Sequence, residues 1–138
     1  MTDNKTSWTA EQQVKHLIAL KAIKFGSEIP ADLLSDPDAA YEYLVENDEH
    51  WDAVSETRCG EVETDIPAGW SRHYESKSVA ALCPDGSWVG WTYWYGGGKH
   101  ADPEAIDWID QAYALDCTEE QKTVTVRTFT KTGEAPLQ

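Results

Sequence analysis

The sequence predicts an α+β domain: a mostly antiparallel sheet of about four strands, with two N-terminal helices and one helix before the last strand. Three observations carry that prediction. Apolar residues recur at helical spacing near the N-terminus, apolar and polar residues alternate from Val62 onward, and a Pro84-Asp85-Gly86 turn separates two strand-like runs. The 138 residues fit a single domain, 1–138, since chains of this size bury about two-thirds of their unfolded surface. Seven Trp, six Tyr and two Phe supply the apolar surface for a core.

The first helix is expected over Ala10 to Phe25, where Val14, Leu17, Ile18, Ala22 and Phe25 form one stripe. Thr9 with Gln12 makes a capping-box pattern, and Gly26 stands where a left-handed residue ends a helix. A second helix begins at Pro37, with Asp36 as its N-cap and Tyr41, Leu44 and Val45 as its buried face. After Gly60 the period becomes two. Val62, Thr64 and Ile66 then face one way and Glu61, Glu63 and Asp65 the other, as in a half-exposed strand.

Trp70 to Cys83 reads as a second extended segment and Ser87 to Tyr95 as its hairpin partner. In the returning strand Trp88, Gly90, Thr92 and Trp94 share one face and Val89, Trp91, Tyr93 and Tyr95 the other. Asp102 and Pro103 open a predicted third helix with a stripe of Ile106, Ile109, Ala112 and Tyr113, ending near Leu115. Thr123 to Thr130 alternates and is expected to be the last strand, with Val124 and Val126 inward.

The net charge is −14, and it is concentrated. Glu28 to Asp65 holds thirteen acids and one base, while the stretches on either side of it are close to neutral or slightly positive. A dense field of one sign repels nucleic acid and anionic membranes and attracts basic surfaces. Direct nucleic-acid binding and membrane association are therefore not expected. No stretch approaches the roughly 18 apolar residues that span a bilayer, and Cys59, Cys83 and Cys117 are far apart, as reduced cytoplasmic thiols are.

Four features bear on function. The run Trp88-Val-Gly-Trp-Thr-Tyr-Trp-Tyr95 carries five aromatics in eight residues, either as a central core strand or as an exposed aromatic platform for a ligand or partner. Gly96-Gly97-Gly98-Lys99-His100 leads toward a helix start, where backbone N–H groups can cradle an anion, but Thr92 stands where a phosphate loop requires its first glycine. His50, His73, His100 and the cysteines have none of the spacings of a metal or nucleophile motif, so no metal, cofactor or catalytic residue is expected. Last, carboxylates Glu42 and Glu46 sit four apart on a helix, where they repel by a few tenths of a kcal/mol and so do not serve helix stability.

The leading expectation is a non-enzymatic acidic protein that binds a basic protein, nucleic-acid-handling proteins among the candidates, through Glu42, Glu46, Glu49, Glu61, Glu63 and Asp65. These carboxylates could imitate a phosphate backbone. In size, acidity and lack of catalytic signature the chain resembles small inhibitors carried by phages and plasmids, a resemblance of composition that covers no specific residues. The alternatives are a small-molecule or anion binder, or a minor enzyme, that uses Trp91, Tyr93, Gly97, Lys99 and His100, and a chaperone or assembly factor with an aromatic patch.

Overall fold

The computed structural model describes residues 8–98 and 102–132. Helix α1 (Ala10–Lys24) starts at the capping box: Thr9 Oγ1 accepts from the Gln12 backbone N–H, and the Gln12 side chain accepts from the Thr9 N–H. It ends at Gly26, whose φ of +108° suits a residue without Cβ. A single short turn of helix, α2 (Ala31–Leu34), precedes α3 (Pro37–Glu46), and the Asp36 carboxylate caps α3 by accepting from the Ala39 N–H.

At Asp48 the chain turns left-handed, with φ +58°, and restarts as α4 (Trp51–Arg58). The sequence pattern had not separated α4 from the residues that follow α3. Asp48 also accepts a bond from the Trp51 indole N–H, so one residue both ends α3 and fixes the start of α4.

Among the described residues four strands form an antiparallel meander in the order β1 (Val62–Glu63), β2 (Glu75–Leu82), β3 (Trp88–Tyr95) and β4 (Tyr113–Leu115). This is the predicted α+β class. Strands β2 and β3 pair along their whole length, and the Pro84–Gly86 turn between them closes with bonds from the Gly86 N–H to the Cys83 carbonyl and the Cys83 N–H to the Ser87 carbonyl. The side chain of Gln13, buried in α1, donates to Ser87 Oγ at 2.7 Å, and this hydroxyl donates to Asp85 at 2.6 Å, which ties the turn to the helix.

The alternation within β3 holds. Val89 and Trp91 lie on the inner face beside their partners Ala81 and Val79, and all four are buried with Val14, Ile18, Ala19 and Ala22 of α1, Ala40 and Leu44 of α3, and Ala53 of α4. Helix α1 packs against α3, α4, β3 and β4 at once, so it is the hub of the core. On the opposite face, Gly90 has no room for a Cβ, which would come within 2.7 Å of Leu115 and 2.8 Å of Tyr113.

Several local expectations are corrected. Phe25 and Val45 are exposed rather than buried, because the core stripes of their helices end at Ala22 and at Leu44. Strand β1 is only two residues long, extended by bonds from the Glu61 and Thr64 N–H groups to β2. The segment from Asp102 to Leu115 is not one α-helix. It forms two 3-10 turns, Pro103–Ala105 and Ile109–Gln111, and then β4. The free edge of β3 explains this, since its backbone N–H and C=O groups need partners that a helix could not supply, and the register Trp88↔Leu115, Gly90↔Tyr113 supplies them. Between the turns Trp108 becomes buried, with its ring 5.1 Å from that of Trp91.

Thr123 to Thr130 is not a strand. Residues 116–132 carry no regular structure beyond a single turn residue and are exposed throughout, with Val124 and Val126 at 76% and 83%. Their alternation is real, but the fold brings no strand edge to it.

Candidate functional site

The six acidic residues expected to meet a partner are all exposed. Glu42 and Glu46 stand one turn apart on α3, Glu49 lies between α3 and α4, and Glu61, Glu63 and Asp65 lie in or beside β1. Two of them also serve the sheet: Glu61 accepts from the Leu82 N–H, and Glu63 pairs with Lys77 at 3.6 Å. Glu42, Glu46, Glu49 and Asp65 make no ion pair among the described residues.

The single base of the acidic stretch, Arg58, is turned inward. Only 8% of it is exposed. Its guanidinium donates from Nη1 to the Trp94 carbonyl at 2.6 Å and stacks 4.8 Å above the Tyr93 ring. The Arg58 carbonyl in turn accepts from the Trp91 indole N–H at 2.9 Å. The end of α4 and strand β3 are thus clasped by two bonds running in opposite senses. Arg58 Nε is buried with no hydrogen-bond partner among the described residues.

Of the second candidate surface, Trp91 is a core residue with no exposed area, and it offers nothing to a ligand or partner. The inner face of β3 is covered by α1, which is why the aromatic platform does not form there. Tyr93 is half-buried, stacked on Tyr95 at 5.3 Å with the Lys77 ammonium 5.8 Å away. Burial first, and then the neighbouring Cys59 thiol, push the Tyr93 phenol above its ordinary pKa, with the Arg58 and Lys77 charges opposing. Gly97 is exposed at φ +91°, and Lys99 and His100 lie outside the described residues.

A cleft of about 430 Å³ lies elsewhere, between the helices and residues 104–110. One wall comes from Lys15, Tyr41, His50, Trp51 and Arg58, the other from the segment that carries Trp108. Lys15 is already held by Glu11 at 3.1 Å and Asp38 at 3.0 Å, and against the burial that lowers it these bonds keep its ammonium above the usual pKa. Bonds from Gln12 and Lys15 hold the Asp38 carboxyl below its usual range. His50 sits 4.3 Å from the Trp51 ring, with Nδ1 buried and unpartnered among the described residues. Glu104, Asp107 and Asp110 are exposed at the rim.

Sequence reasoning missed Arg58, Lys15 and Trp108. One signal was present: Arg58 is the lone base in the acidic stretch.

Among the described residues, no group of three or more His, Cys, Asp or Glu side chains is placed to hold a metal, and no helix is long and apolar enough to cross a membrane. The Cys83 thiol is pushed up to about 11, mainly by burial, which leaves it little thiolate at neutral pH. Comparison with protein-family models, with curated proteins and with solved structures finds no match for this chain.

Proposed function

We propose that this domain is an acidic interaction module that binds a basic partner protein through the carboxylates of α3, of the α3–α4 link and of the β1 edge. The observation that supports this most is the fate of Arg58. A chain that needed these acids only for solubility could leave its one cation among them at the surface. Here that cation is buried on Tyr93 and Trp94, whereas all the acids of the stretch but Asp38 are exposed, and among the described residues only Asp38 and Glu63 of them form ion pairs.

Such a surface acts first on encounter. Complementary charge raises association rates and falls away with salt, because the Debye length shrinks to about 8 Å at physiological ionic strength. Glu42 and Glu46 on successive turns offer a row of negative charge that a phosphate-binding cleft would accept, so nucleic-acid-handling proteins are the partner class this reading favours.

The test is capture from lysate at low and high salt with the native chain and with a Glu42→Gln, Glu46→Gln, Glu49→Gln variant. That variant spares Glu61 and Glu63, which bond to the sheet. The expected result is a basic protein held at low salt, released at high salt and not held by the variant. If the variant holds every protein that the native chain holds, this reading is wrong.

A further inference from the structure

We infer that the cleft between the helices and residues 104–110 binds a small zwitterion with excess positive charge, an α-amino acid with a basic side chain, whose carboxylate is received by Arg58. The inference starts from a cation that lacks an anion. Arg58 lines the cleft, is more than nine-tenths buried and forms no ion pair among the described residues. Its bond to the Trp94 carbonyl, from Nη1, uses one of several guanidinium donors and leaves terminal N–H groups for a carboxylate, while the sealed Nε has no partner among the described residues. Buried arginine is normally matched by a carboxylate or phosphate in a fork of paired bonds, and an unmatched donor is costly. In a chain with 25 acidic residues, the absence of an acid at this point is a specific arrangement rather than a shortage.

The rest of the cleft narrows the ligand class. Its other cation, Lys15, is already occupied by Glu11 and Asp38, so one anionic group is accommodated and not two. Trp51, which lines the cavity and is 64% exposed, offers ring surface to an apolar stem, and the buried Trp108 lies beside it in the lining. The rim carries Glu104, Asp107 and Asp110. A simple anion would have to cross that rim against the field of a domain with net charge −14. A simple cation would satisfy the rim and be repelled by Arg58. A molecule with a carboxylate at one end and a cationic group at the other answers both, and a volume of about 430 Å³ falls within the range of small-molecule sites, about 300–1,000 Å³.

The site is separate from the carboxylates of α3 and β1, so the two readings fail separately: the Glu42, Glu46, Glu49 variant should bind the amino acid as the native chain does.

The probes are L-arginine, agmatine, which lacks the carboxylate, and L-citrulline, which lacks the side-chain charge. Binding is followed by calorimetry and by the NMR signals of the Trp51 and Trp108 indoles. L-arginine should bind saturably and shift both indoles. Agmatine should bind at least about tenfold more weakly, the worth of one charge-assisted pair, and citrulline should also be weaker than arginine. Arg58→Met should abolish arginine binding. Because Arg58 also clasps β3, an Asp107→Asn, Asp110→Asn variant provides the test if that chain does not fold: it should weaken arginine and leave citrulline unchanged. Agmatine binding as tightly as arginine, or no saturable response to arginine, overturns the inference.

Discussion

Strand β3 and the segment from Thr123 to Thr130 are built from similar material and have opposite fates. Both are rich in β-branched or aromatic residues, and Val89 and Val126 are the same side chain. Val89 has no exposed area, whereas Val126 is 83% exposed. Strand β3 has a partner on each side, β2 and β4, and α1 covers its inner face. The later segment has neither edge nor cover. Their difference shows that a strand here is made by its neighbours: β-propensity describes what fits a pleated, half-buried surface, and the surface must exist first.

The sharpest way to break this comparison is to remove the side chain that β3 buries deepest. Trp91→Ala should destabilise the domain by about 3–5 kcal/mol, since it deletes a fully buried aromatic and the bond to the Arg58 carbonyl. Urea unfolding read by circular dichroism gives the number, and a loss under about 1 kcal/mol would mean that β3 is no better packed than the tail.

A second test compares two thiols. Cys83 at the β2–β3 turn is buried and its thiol is pushed up to about 11 from 9.0, while Cys117 at the start of the tail is exposed. Burial both shields Cys83 and disfavours its thiolate, so alkylation near pH 8 should modify the exposed Cys117 at least about tenfold faster than Cys83. Mass spectrometry of the partly modified chain reads the ratio, and equal rates would place the turn and the tail in the same environment. The smallest effect is expected in the tail itself. Val126→Asp with Phe129→Ser should change stability by less than about 0.5 kcal/mol, because both side chains are exposed. A cost above about 1 kcal/mol would show that the tail is packed.

What could be read from the sequence was local. The capping box at Thr9 and Gln12, Gly26, the Asp36–Pro37 helix start and the Pro84–Gly86 turn are each decided by a few adjacent residues. Alternation along β3 was legible for the same reason, but which face points inward depends on α1, far away in sequence. The break between α3 and α4 was hidden because an aspartate, not a glycine, takes the left-handed turn at Asp48. Helical spacing from Ile106 to Tyr113 misled because it could not register the unpaired edge of β3 that draws Tyr113–Leu115 into the sheet. At the candidate sites the acidic stretch was plain from composition. The direction of Arg58 was not, since Tyr93 and Trp94 are brought to it only by the fold.

The hub position of α1 has a consequence for how the chain is made. Helix α1 precedes the other described elements along the chain and is the one completed last, because its partners extend to β4, which ends at Leu115. At synthesis rates of about 5–20 residues per second, Val14, Ile18 and Ala22 wait on the order of ten seconds for the sheet that covers them. A 15-residue helix is marginal in water by itself, so during that interval the nascent chain shows an apolar stripe and little fixed structure. Among the described residues, those after Leu115 add no helix or strand to that closure.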